Sequence, residues 1–140
     1  MTARSAHACR TGIEEAVCEE MFRQSLPHGH RSLHFRVANA KGRAAQYAPA
    51  IVAHRGSILF LVEPVPSAGA RRPIERLSRF LDQHSPDIVL AVVTADADVD
   101  RMPRESYDEI YGVSAIPRLT ARIREQDPGG IVLPFEKPRR

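Results

Sequence analysis

Two uninterrupted apolar runs constrain this chain more than any other feature: one starts at Ser57 and is closed by Glu63, the other extends from Ile88 to Thr94. The second is rich in β-branched residues, and both lack the polar alternation of a half-exposed strand, which is the pattern of strands covered on both faces. Between them lie a breaker cluster, Pro64-Val-Pro66-Ser-Ala-Gly69, then Pro73 at a first helical turn and an Ile74, Leu77, Leu81 stripe with Arg72, Arg76 and Arg79 on the other side. Ser85-Pro86 stops that helix. The spacing predicts a strand, a crossover helix and a parallel strand, so the chain is expected to be α/β, with helices on both faces of a mixed sheet.

The remaining elements are placed around this unit. Thr11-Gly-Ile-Glu14 has the capping-box pattern, and Ile13, Val17 and Met21, with Cys18 and Phe22 alongside, predict a first helix that Pro27-His-Gly-His30 ends. Leu33, Phe35 and Val37 alternate with His34, Arg36 and Ala38, as in a strand that turns Arg36 outward. Asn39 to Ala45 is expected to be a mobile basic turn, Tyr47 to Ala53 a strand, and His54-Arg-Gly56 a turn. After Asp96, Asp98 and Asp100, the stretch from Glu105 to Ile123 is expected to be helical with interruptions at Gly112 and Pro117, and Ile131 to Leu133 a last strand. The predicted order is αβββαβ(α)β. Residues 11–135 would form one domain, with 1–10 a flexible N-terminus and 136–140 a tail, as suits 140 residues of which 43% are hydrophobic. No run approaches a bilayer span and the first ten residues lack an apolar leader core, so the expectation is a cytoplasmic chain with no membrane partner.

The net charge of +3 is unevenly spread. Arg31 to Phe80 holds nine basic against two acidic residues, a net of +7, leaving −4 for the remainder. Almost all of this charge is guanidinium, which forks onto phosphate or carboxylate. Cys9 and Cys18 have no second cysteine pair or histidine cluster at metal spacing, so a zinc site is not expected, and Cys18 suits a small buried apolar position. His28, His30, His34 and His54 are expected to be solvated, Ser67 beside Gly69 lacks the lysine of a phosphate loop, and the Asp96, Asp98, Asp100 run lacks the glycine and glutamate of a calcium loop.

Tyr-Ala-Pro-Ala-Ile-Val (47 to 52) followed by a strand ending Phe-Leu-Val-Glu-Pro-Val (60 to 65) resembles the PD-(D/E)XK, or restriction-endonuclease-like, nuclease superfamily. Among small members it is most similar to archaeal Holliday-junction resolvases, through Gly12 with Glu14-Glu15, the Ile-Val-Ala-His-Arg-Gly hairpin, and Leu77 to Phe80 leading into Leu90-Ala-Val. The resemblance runs from about Thr11 to Thr94. It implies a single restriction-endonuclease-like domain in which Glu63 is the strand-end acid and Glu15, or its neighbour Glu14, the helix acid. It also implies that Ala50 stands where a metal-binding Asp would be and Val65 where a lysine would be. Neither side chain can ligate a metal or move a proton, leaving Glu63 as the one strong ligand for Mg²⁺ or Mn²⁺.

The expected function is therefore a nuclease-like domain without catalysis that binds nucleic-acid backbone, duplex or branched DNA, through Arg36, Lys41, Arg43, Arg55, Arg71 and Arg72. Sparse aromatic residues, 6% with no Trp, argue against base stacking. Two alternatives stand beside it. One is a protein-interaction or scaffold module with Pro64, Val65 and Pro66 as its surface. The other is an active metal-dependent endonuclease in which Arg71, Arg72 or Arg76 supplies positive charge. No cofactor is expected unless catalysis survives, and the resolvase likeness implies a two-fold homodimer.

Overall fold

The computed structural model describes residues 9–39, 41–84 and 88–126. Helix α1 (Gly12–Arg23) starts at Thr11, whose hydroxyl accepts the Glu14 amide at 3.0 Å. It ends before Pro27, in a Schellman turn: Ser25 takes φ 58°, its amide reaches Phe22 O at 3.1 Å, and the Leu26 amide reaches Met21 O at 2.8 Å. A hairpin follows, β1 (Phe35–Ala38) antiparallel to β2 (Ala44–Tyr47), and it forms its own two-stranded sheet. The turn between them is fastened, since Asn39 Oδ1 accepts the amides of Lys41 at 2.9 Å and Arg43 at 3.0 Å, and Gly42 supplies φ 80°. The expected Tyr47 to Ala53 strand is interrupted around Pro49, which has no amide to donate, and resumes as β3 (Ile51–Arg55).

The main sheet has the order β3-β4-β5-β6, with β4 (Ile58–Pro64), β5 (Ile88–Thr94) and β6 (Glu109–Gly112). β3 and β4 are antiparallel, and helix α2 (Arg71–Gln83) carries the chain to β5, which lies parallel to β4. The sheet is mixed and helices flank it, as the apolar runs predict. The stretch from Glu105 to Ile123 differs from its helical expectation: a 3₁₀ turn at Arg104–Ser106 leads to β6, parallel to β5, and only α3 (Ile116–Glu125) is α-helical. The acidic run is likewise a 3₁₀ helix, Asp96–Arg101. Gly112 is required where β6 passes Asp96, because a Cβ there would lie 3.1 Å from the Asp96 Cα. The expected strand at Ile131 to Leu133 lies outside the described residues.

One core, with Val17, Met21, Ile51, Phe60, Val62, Ala91, Val93 and Leu119, joins the sheet to α1 and α3. The other, with Tyr47, Val52, Leu61, Val65, Leu77, Phe80, Leu90 and Val92, joins the opposite face to α2 and the hairpin. Among the described residues no helix is long and apolar enough to cross a membrane.

Candidate functional site

The loop from Leu26 to Leu33 gathers the polar groups. Gly29 makes a two-bond bridge to Val52 on the edge of β3, at 2.9 and 2.8 Å, which anchors the loop. Two residues later Arg31 adopts φ 52° and donates its amide to the carbonyls of Pro49 and Ala50 at 3.1 and 3.3 Å. A non-glycine residue in the left-handed region has a backbone cost that the surroundings must offset. Here the offset is the guanidinium, whose two terminal nitrogens grip the Glu14 carboxylate at 2.6 and 2.9 Å.

Glu14 is wholly enclosed. Besides Arg31 it accepts from the Arg10 amide at 3.1 Å and pairs with His30 Nδ1 at 2.6 Å. Burial works to raise its pKa, but the hydrogen bonds from Arg31, Arg10 and His30 outweigh it and hold the carboxyl below the ordinary glutamate range. Of the two helix acids in the resemblance, it is Glu14 that turns inward. Glu15, its neighbour, is exposed on α1.

Glu63, at the end of β4, accepts the Tyr47 hydroxyl at 2.8 Å and the Ala50 amide at 3.1 Å, both on Oε1. Burial pushes its pKa up, and the opposing pull of Tyr47, the Ala50 amide, Arg76 and Arg31 does not fully offset this. Burial and the Glu63 charge in turn push the Tyr47 phenol well above its ordinary value. Arg76 lies over the Tyr47 ring, 5.6 Å from its centroid, so positive charge from α2 does approach Glu63. Ala50 and Val65 are both buried, Val65 completely, with its amide on Val93 O at 2.9 Å. The lysine position of the resemblance thus points into the α2 core, and Val65 is not available as a partner surface. Both acids accept from protein donors, Glu14 on both oxygens and Glu63 on Oε1, and the Arg31 charge that grips Glu14 also acts on Glu63.

The cationic residues fall into two places. Ala38 exchanges backbone hydrogen bonds with the Gln83 amide at 2.9 and 2.8 Å, the His84 ring reaches Arg36 O at 2.9 Å, and Phe80 packs edge-on against Phe35 and Tyr47. These contacts dock the hairpin on α2 and form a pocket of about 160 Å³ between Val37, Asn39 and Ala45 on one side and Arg72, Glu75, Arg76 and Arg79 on the other. Arg36, Lys41 and Arg43 project from the same hairpin and are exposed. Arg71 lines a second, mixed-charge groove together with Arg72, Arg79, Glu75, Asp82 and Glu105, so Arg72 and Arg79 border both. Arg55 is elsewhere: it continues the Ile51, Ala53 face toward α3 and donates to Gln126 O at 2.9 Å. It is not part of the α2 face.

Sequence reasoning missed Arg31 and Tyr47 as site residues, and it placed His30 in solvent although its side chain is 5% exposed. Their signals were faint: an arginine after His-Gly-His, and a tyrosine that fits an apolar strand position. The loop also brings Cys9, Cys18 and His30 together, with one ligand atom of each within 4.8 Å of the others. Compared with models of known protein families and with curated protein sequences, the chain matches none of them.

Proposed function

We propose that this domain binds the sugar-phosphate backbone of duplex or branched DNA along the groove between α2 and the β1–β2 hairpin, and that it does not cleave what it binds. The supporting observation is the distribution of ion pairs. Among the described residues Arg23, Arg31, Arg101 and Arg122 have carboxylate partners, whereas Arg36, Lys41, Arg43, Arg72, Arg76 and Arg79, close together on the hairpin and α2, have none within ion-pair distance, as is also true of Arg55, Arg71, Arg104, Arg118 and Arg124. Cations gathered on the hairpin and on α2, with Glu75 as the acid among the residues lining the pocket between them and Arg36 on the outward side of β1, are a fit for a run of phosphates. Helix α2 adds to this. It opens on Arg71 and Arg72, has no side-chain cap and no acidic residue in its first turn. Cations at that end oppose the helix dipole at a cost of about 0.3–1 kcal/mol each, which a bound phosphate would relieve. The family resemblance agrees, because the same strands and helix line the nuclease cleft.

The acids support the reading without cleavage. With Glu14 committed to Arg31 and His30, Glu63 to Tyr47 and Ala50, and apolar residues at 50 and 65, the site lacks paired carboxylates to hold Mg²⁺ or Mn²⁺ and a base to activate water. Fluorescence anisotropy with a labelled duplex and a four-way junction tests the reading. Arg72→Glu with Arg79→Glu should weaken binding at least tenfold, Arg101→Glu should not, and the stoichiometry of the same titration reports whether a dimer binds. Equal losses in both variants, or no binding at low salt, would overturn the proposal.

A further inference from the structure

We propose that Cys9, Cys18 and His30, with His28 as fourth ligand, form a structural site for zinc or another divalent ion of similar softness. The residues come from three segments. Cys9 precedes the N-cap of α1, Cys18 is in its second turn on the buried face, and the histidines flank Gly29. Because Gly29 is bridged to Val52 in extended backbone, the residues on either side of it project to one side of the loop. Their rings meet edge-on with centroids 5.3 Å apart. The Cys9 and Cys18 sulfurs and a His30 ring nitrogen lie within 4.8 Å of one another, and His28 Nε2 is 3.3 Å from the Cys18 sulfur.

In a tetrahedral zinc site, bonds of about 2.3 Å to sulfur and about 2.0 Å to nitrogen put neighbouring ligand atoms about 3.3–3.8 Å apart. The Cys9, Cys18 and His30 ligand atoms therefore need a contraction of about 1 Å at most to reach that geometry, and His28 Nε2 already stands at ligand spacing from the Cys18 sulfur. Cys9 lies outside any helix or strand, so it can make that adjustment without breaking the fold.

The orientation of both rings is a second, independent observation. His28 Nδ1 is 2.9 Å from Leu26 O, and His30 Nδ1 is 2.6 Å from Glu14 Oε2. With a carbonyl or carboxylate beside Nδ1 the metal-binding nitrogen would be Nε2, the arrangement that histidine ligands of zinc share. Two thiolates would neutralise the ion, so the buried Glu14 and Arg31 pair keeps its balance. The site would clamp the segment before α1 and the loop after it onto one helix, and through His30 it would steady Glu14. It involves none of the groove cations and stands or falls apart from DNA binding.

The test uses the full chain, purified under reducing conditions with any affinity tag removed. Metal analysis should find one zinc per chain, and Co²⁺ added to metal-free protein should give the visible bands of tetrahedral cobalt and a thiolate-to-cobalt charge-transfer band. Cys9→Ser, which removes a half-buried residue outside the helix, should lose the charge-transfer intensity of one thiolate and bind Co²⁺ at least tenfold more weakly, with an unchanged far-ultraviolet circular dichroism spectrum. His30→Ala should weaken binding as much, and His54→Ala, an exposed histidine elsewhere, should not. Octahedral cobalt, binding below one equivalent, a Cys9–Cys18 disulfide that persists under reduction, or equal weakening by His54→Ala would overturn the site.

Discussion

Replacing Arg31 by Ala should be among the most damaging single changes to this fold. Glu14 is 0% exposed and Arg31 18% at its side chain, so the pair is nearly out of water. Alanine keeps the amide that bonds Pro49 and Ala50 and incurs the same cost at φ 52°, so the change isolates the guanidinium. Removing one member of a buried pair costs about 3–5 kcal/mol because the other charge is stranded. The Arg10 amide and His30 still hold Glu14, which favours the lower end, about 3 kcal/mol. For a chain of this size that is a fall in Tm of roughly 10 °C. Urea unfolding followed by circular dichroism, with Glu14→Gln and the double variant, closes a cycle whose coupling energy should exceed about 1.5 kcal/mol. The pH dependence has a definite sign. A folded Glu14 pKa below the ordinary 4.5 means that its contribution is complete above that value and is lost as pH falls through the folded pKa. The wild-type advantage over Glu14→Gln should therefore be full at pH 7 and shrink below pH 4.5. An Arg31→Ala cost under about 1 kcal/mol, or an additive double variant, would refute the reasoning.

Three further outcomes are expected. Glu63 titrates in the opposite sense: its folded pKa is raised above 4.5, so the wild type loses stability as pH climbs through that interval, and Glu63→Gln, compared by urea unfolding at pH 4 and pH 7, should gain relative to it as pH rises. Grafting the missing groups as Ala50→Asp with Val65→Lys should not produce Mg²⁺-dependent plasmid nicking, and calorimetry should show Val65→Lys destabilising by about 3 kcal/mol or more, because position 65 is fully buried. Gly112→Ala should cost about 1–3 kcal/mol in thermal unfolding, since its Cβ would press on Asp96, which accepts the Ser114 amide at 3.0 Å.

The strand, helix and parallel strand from Ile58 to Thr94 were legible because burial on both faces leaves an unbroken apolar run, and α1 because its stripe and cap are local. β6 was not. Four residues at Glu109–Gly112, half-buried and lying along β5, carry no alternation that separates them from the helix-compatible residues around them. The break at Pro49 could have been read from the missing proline amide. The core of the candidate site was hidden for a different reason. Glu14 meets Arg31 across 17 positions through a left-handed residue that no glycine marks, and the cysteines meet His30 only because Gly29 pins the loop to β3. Charge segregation was visible in the sequence, but its division between the α2 groove and Arg55 on the opposite face depends on the sheet, which alternates side chains between two layers.

The most direct test of backbone binding without cleavage is the affinity for one duplex measured across a range of salt concentrations with EDTA present. If about six cations meet phosphates, log K should fall against log salt with a slope near −5, and Arg72→Glu with Arg79→Glu should flatten it by about 2. The duplex should remain intact when Mg²⁺ or Mn²⁺ replaces EDTA. A slope near zero, binding that requires the metal, or cut strands would contradict the account.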